Sequence, residues 1–254
     1  MNAQTRRPNV PAGPPERRFG VRALLAAVAL VLVAVPFGLL LFLVQDKWRP
    51  LLRADTGARD DLHSYAVHHG AFVTVMRVLS TIGSSLVWLA LFAAVVAWLL
   101  WRQLPRLALF VVVTVAGSSV LNAVVKGAVH RARPVLPNPV AHANGQSFTS
   151  GHAQAAIVGC SVLLLVFLPW LRGVWRALAV AAAVLLTIGI GFSRVALGVH
   201  YVSDVLAGYV LGAAWVAAMT AAFNALRTER GRAKARPLDG LEPAAATEGT
   251  AEAR

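Results

Sequence analysis

The chain has 254 residues, 57% of them hydrophobic, and a formal net charge of +13. With a mean hydropathy of +0.65 it is too apolar for an ordinary soluble domain, and its single cysteine, Cys160, excludes an intramolecular disulfide framework. The basic residues crowd at the ends of long uncharged runs and in the two tails. That distribution argues against nucleic acid and makes anionic phospholipid headgroups the partners of this charge.

Residues 1–20 are rich in Pro and Arg and read as a disordered basic tail. The first uncharged run, 23–44, follows Arg17, Arg18 and Arg22 as a signal peptide core would. It is longer than a cleaved core and no small-residue cleavage site follows, so it reads as a retained span kinked at Pro36. Residues 45–77 carry Asp46, Asp55, Asp60, Asp61, His63, His68 and His69. Their spacing matches no metal motif, and the segment reads as an exposed interfacial loop. Further uncharged runs cover 78–101, 107–125, 153–171, 177–193 and 205–226. Each is long enough to cross a hydrocarbon core of about 30 Å, which takes roughly 17–25 helical residues. The expected fold is therefore all-α: a polytopic bundle of six transmembrane helices over residues 21–226, followed by a disordered tail at 227–254.

An even number of spans puts both tails on one side. Arg102 and Arg106, and Arg172 and Arg176, fall in short connections on that same side. The positive-inside rule makes it cytoplasmic. The connections 126–152 and 194–204 then face outward together, and they hold the residues with chemical character.

Lys126, His130 and Arg133 recur at i, i+4 and i+7 before Pro134, which fits one stripe of a helix prolonged past its apolar end. Alone, that stripe reads as a snorkelling basic cap. Ser150-Gly151-His152 opens the run at 153, where backbone N–H groups make an anion site or a hydroxyl caps the helix. His200 and Asp204, if helical, lie one turn apart, so the carboxylate orients and charge-stabilises the imidazole. Asp204 is the lone acid between Asp61 and Glu229, in a stretch where a carboxylate is costly to keep.

Together these blocks resemble the signature of the type 2 phosphatidic acid phosphatase superfamily, which joins membrane lipid-phosphate phosphatases to soluble vanadium haloperoxidases. Its pattern is K-x6-R-P, then P-S-G-H, then S-R-x5-H-x3-D. This chain supplies Lys126, Arg133 and Pro134; Ser150, Gly151 and His152; and Ser193, Arg194, His200 and Asp204. It departs at Thr149, where the family has proline. The resemblance implies an acid phosphatase/haloperoxidase-like helical core with its motifs at 126–204. It further implies a plasma-membrane phosphatase acting outside the cytoplasm on lipid phosphates or pyrophosphates, of the phosphatidic acid, phosphatidylglycerol phosphate or undecaprenyl diphosphate class. In that scheme His200 is the nucleophile that becomes phosphohistidine, Asp204 orients it, and His152 is the general acid. Lys126, Arg133, Ser150, Gly151 and Arg194 bind the phosphate, and neither a cofactor nor a metal is called for. A phosphotransferase of the same fold and a non-enzymatic transporter are the alternatives.

Overall fold

The computed structural model describes residues 35–229, with side chains through Asn224. Every regular element among them is helical: α1 (Val35–Gln45), α2 (Arg49–Ala66), α3 (Gly70–Ile82), α4 (Ser85–Trp101), α5 (Pro105–Val129), α6 (Gly151–Phe167), α7 (Val174–Ala196) and α8 (Val202–Glu229). A 3₁₀ turn, Leu168–Trp170, prolongs α6.

By length and composition four helices can cross a membrane, at Pro105–Val129, Gly151–Trp170, Val174–Ala196 and Val202–Asn224. A fifth span exists if α3 and α4, bent by 42° at their junction, act as one. The expected run at 78–101 is thus broken. Ser84 caps a new helix there, its hydroxyl oxygen accepting from Val87 N at 3.4 Å. The first expected run, 23–44, lies largely outside the described residues, as do the tail at 1–20 and the chain beyond Glu229.

The expected exposed loop at 45–77 is instead α2 and α3. Pro50 in the first turn of α2 presets its backbone for helix, and α2 packs against α7 and α8 rather than hanging in solvent. Asp55 is 1% exposed and His63 9%. The His63 Nε2–H donates to Pro137 O at 2.8 Å, tying α2 to the outer connection.

The core lies between α4, α5 and α6, where Trp88, Phe92, Leu99, Phe110, Val111 and Val162 are buried. Leu86, Leu89, Val120 and Leu185 point outward, as lipid-facing residues do. The most extensive helix pairing is α6 on α8, and small residues let the two backbones come together. A Cβ on Gly208 would stand 2.7 Å from Ser150 O, and one on Gly212 3.1 Å from Gln154 O. This spacing of two glycines four residues apart is the small-residue packing device of membrane helices. It brings the start of α8 against the start of α6, where Ser150 N–H donates to Asp204 O at 3.0 Å.

Candidate active site

The end of α5 sets the first group. Lys126 is in its last turn and its Nζ donates to Gln146 O at 3.2 Å. The helix does not continue to Pro134 as the stripe suggested: it stops at Val129, and His130 ends it in the left-handed conformation, φ 52°. Arg133 therefore reaches the site from irregular backbone beyond the helix. Its Nε donates to Asn144 O at 3.2 Å and Gly145 O at 3.0 Å, and its Nη1 to Val199 O at 2.8 Å. These carbonyls aim the guanidinium so that Nη1 also lies 3.1 Å from His200 Nε2. Burial holds the Arg133 pKa below its ordinary value and Asp204 opposes that effect; a guanidinium remains a cation in proteins.

The second group is the turn before α6, where Ser147, Phe148, Thr149 and Ser150 are fully buried. Polar residues of α5 and α6 fix it. Asn122 Nδ2 donates to Thr149 Oγ1 and to Gln154 Oε1, both at 2.8 Å, and Gln154 Nε2 donates to Ser118 O and Oγ at 2.9 Å. Thr149, in the place of the family proline, thus anchors its turn to α5 through its hydroxyl. Ser150 caps α6, its oxygen accepting from Ala153 N at 3.4 Å. A hydroxyl that caps through a lone pair keeps its proton to donate. Gly151 N, in the first turn, has no acceptor within the helix.

The third group departs from the helical expectation. α7 ends at Ala196 and α8 begins at Val202, so His200 sits in the intervening turn. Its backbone N–H donates to Arg194 O at 3.2 Å, and the packing of Ala66, Val73 and Met76 on Ala196, Leu197 and Val199 clamps the turn beneath α2 and α3. The pairing forms all the same, with His200 Nδ1 3.5 Å from Asp204 Oδ2 and 3.4 Å from Ser147 Oγ. Because Arg133 can only donate to Nε2, the imidazole proton belongs on Nδ1, facing the carboxylate. Asp204 is held by further donors: Ser147 Oγ at 2.5 Å, Tyr201 N at 2.9 Å and Arg131 Nη1 at 2.5 Å. Burial lowers the His200 pKa to about 4; Asp204 pulls it back up, while Arg133 and Arg194 push it further down.

His152 and Arg194 complete the cluster. His152 is in the first turn of α6, its ring edge towards Gly83 at the α3–α4 bend. Its ionisable neighbours are Arg194, His200, Lys126 and Arg133. Arg194 is buried at the end of α7, with Nη1 donating to Ser80 Oγ and Nε lacking a protein partner. Lys126, Arg133, Ser150, Gly151, His152, Arg194, His200 and Asp204 are therefore gathered at one end of the bundle. Among the described residues no group of three His, Cys, Asp or Glu side chains is arranged to hold a metal ion.

Sequence reasoning missed Asn122, Ser80, Ser147, Arg131 and Asp55. Arg131 was visible as a third basic residue beside Arg133. Nothing in the local sequence marks Asp55, which meets Arg131 across 76 positions of chain.

A profile of the PAP2 superfamily matches residues 107–228. Phosphatidylglycerophosphatase B of Bacillus subtilis (strain 168) is 32% identical over 141 residues, covering 54% of this chain and 68% of that protein. The chain belongs to the PAP2 superfamily. Undecaprenyl-diphosphatase of Sulfolobus acidocaldarius (strain ATCC 33909) is 27% identical over 191 residues, 70% of this chain and 85% of that one. The crystal structure of a transmembrane PAP2 type phosphatidylglycerolphosphate phosphatase from Bacillus subtilis superposes with a TM-score of 0.62 at 25% identity, over 74% of this chain and 94% of that one. This chain is accordingly a multi-pass membrane protein and a phosphoric ester hydrolase.

Proposed function

We propose that the chain hydrolyses lipid phosphate or pyrophosphate esters through a phosphohistidine on His200. The observation that carries this reading is the 3.1 Å approach of Arg133 Nη1 to His200 Nε2: an oxyanion held by that guanidinium is presented to the nitrogen that must attack it. Lys126, Arg133 and Arg194 supply three cations for the phosphoryl oxygens, and the partnerless Arg194 Nε is a buried donor that such an oxygen would satisfy. Ser150 and the Gly151 N–H add neutral donors.

In the first step His200 Nε2 forms a bond to phosphorus, the bond from phosphorus to the leaving oxygen breaks, and His152 gives that oxygen its proton. Asp204 stabilises the positive charge growing on the imidazole. In the second step His152 takes a proton from water, whose oxygen attacks phosphorus, and the N–P bond breaks to release inorganic phosphate.

A lipid substrate is supported by a cavity of about 520 Å³ between α4, α5 and α6, walled by Trp88, Phe92, Val111, Val115, Ala155 and Val158. Asn122, Gly151 and Gln154 line its polar part, so it adjoins the phosphate donors. Phosphatidylglycerol phosphate and undecaprenyl diphosphate, the classes in the relatives' names, both pair a hydrocarbon chain with a phosphate. The six uncharged runs of the sequence support six spans, and the charge bias supports cytoplasmic tails and an extracytoplasmic site.

Phosphate release from a panel of lipid phosphates, measured on purified protein with and without excess chelator, tests the reading. Release that survives chelation and disappears in His200→Ala supports it. No release from any lipid phosphate, or release that needs added magnesium, overturns it.

A further inference from the structure

Arg131 lies within the basic stretch that supplies Lys126 and Arg133, yet its fork is spent elsewhere. Nη1 donates to Asp204 Oδ1 at 2.5 Å and to Ser203 Oγ at 2.7 Å, and Nη2 donates to Asp55 Oδ2 at 2.8 Å. Its guanidinium carbon stacks 4.3 Å from the centre of the Tyr201 ring. Asp55 in turn accepts from Ser203 N at 2.9 Å and Ser203 Oγ at 2.5 Å. Asp55 and Asp204 are 1% and 0% exposed and the Arg131 side chain 11%. Two carboxylates thus share one guanidinium in the protein interior. Asp55 is on α2, outside residues 107–228 that match the superfamily profile.

The charges decide what this chain of contacts does. Were Arg131 to pair with Asp204 alone, the pair would be neutral, and Asp204 would lose much of its power to stabilise positive charge on His200. Asp55 takes the other side of the guanidinium, so the three groups together carry one net negative charge facing the imidazole. Interaction energies of this kind are large where solvent is excluded.

We infer that Asp55 and Arg131 are positioning residues for the nucleophile: Arg131 fixes the Asp204 carboxylate against His200, and Asp55 offsets the Arg131 charge so that Asp204 still acts as an anion. This rests on the reading of His200 as nucleophile. It makes α2 part of the catalytic apparatus, contributing charge through Asp55 without touching substrate.

Quenched-flow measurement of phosphoenzyme formation on the full-length protein in detergent, with a labelled aryl phosphate, separates this role from a structural one. The rate constant reports transition-state stabilisation at each competent site, and the amplitude reports the fraction of competent sites. Asp55→Asn keeps the side-chain shape and removes the charge. It should slow phosphoenzyme formation about 10-fold or more, since a loss of roughly 1.4 kcal/mol suffices for that, at an amplitude near that of the wild type. The double variant Asp55→Asn/Arg131→Gln leaves Asp204 as the one charge of the three, and restores the net −1. Its rate constant should exceed that of Asp55→Asn by about threefold or more as the net charge is restored, and stay below the wild type because the guanidinium that fixes Asp204 is gone. A wild-type rate constant with lowered amplitude in Asp55→Asn overturns the inference and leaves a purely structural contact. So does a double variant that folds but is no faster than Asp55→Asn. If the double variant does not fold, the rate constant of Asp55→Asn alone decides. His200→Ala separates the two levels: turnover that survives it overturns the nucleophile assignment itself, whereas loss of turnover in His200→Ala beside a wild-type rate constant in Asp55→Asn overturns this inference alone.

Discussion

Arg133 Nη1 is 3.1 Å from His200 Nε2, so the guanidinium proposed to bind phosphate and the proposed attacking atom are in direct contact. The contact depends on carbonyls: Asn144, Gly145 and Val199 each accept from the guanidinium and leave it one orientation. Lysine cannot reproduce it, because an ammonium lacks the planar fork that spans these acceptors. Arg133→Lys should lower kcat/KM by about 10²-fold or more, in the range seen when a positioned electrostatic donor is lost. Steady-state kinetics in detergent check this. A loss under about threefold would mean that charge alone, not placement, is what the site takes from Arg133.

The His200 pKa, lowered to about 4 by burial, has consequences for both rate and stability. The neutral imidazole that must attack is the dominant form above that pH, so the acid limb of kcat/KM that belongs to His200 should fall near pH 4, not near its ordinary 6.5. Between those values the unfolded chain binds a proton at His200 that the folded chain does not. Stability therefore rises with pH across this window, by about 3 kcal/mol from this group. Denaturation of wild type and His200→Gln between pH 4 and 7 should show the steeper pH dependence in the wild type. Parallel curves would put His200 at an ordinary pKa.

His152 should matter in proportion to how badly the leaving group needs a proton. General acid catalysis contributes typically about 10²- to 10⁴-fold. His152→Ala should lose most of that on a lipid monoester and far less on an aryl phosphate whose phenolate leaves unaided. Equal losses on both substrates would reverse or remove the roles assigned to the two histidines.

The proposed extracytoplasmic site rests on the charge bias of the sequence. The connections before α6 and α8 carry the site, while Arg102 and Arg172 mark the opposite end. In a Cys160→Ser background, Val135→Cys should react with an impermeant thiol reagent in intact cells, and Arg172→Cys after permeabilisation. The reverse pattern would put the chemistry on the cytoplasmic side.

Much of this site was legible in the sequence because the motif spacings survive changes in local structure. His200 and Asp204 pair although a turn, not a helix, joins them, and Arg133 reaches the site although α5 ends before it. What the sequence could not reveal are contacts that depend on which helix lies beside which. Asp55 looked like one acid among several in a polar loop, since its meaning comes from Arg131 and Ser203, remote in sequence and brought together by the docking of α2 on α7 and α8. Asn122 and Gln154 were hidden for a similar reason: polar residues in apolar runs gain their partners only when α5 and α6 pack. Hydropathy also has no term for the bend at Gly83 and Ser84 that divides the run at 78–101 between α3 and α4.

The central claim is that the phosphoryl group passes through His200 before reaching water, and the stereochemical course at phosphorus tests it most directly. Two successive in-line displacements, each inverting the configuration, leave the released phosphoryl group with the configuration it had in the substrate. Hydrolysis of an isotopically chiral thiophosphate ester should therefore proceed with net retention, and His200→Ala should release no product. Net inversion would mean a single attack by water on the ester and would contradict the phosphohistidine account.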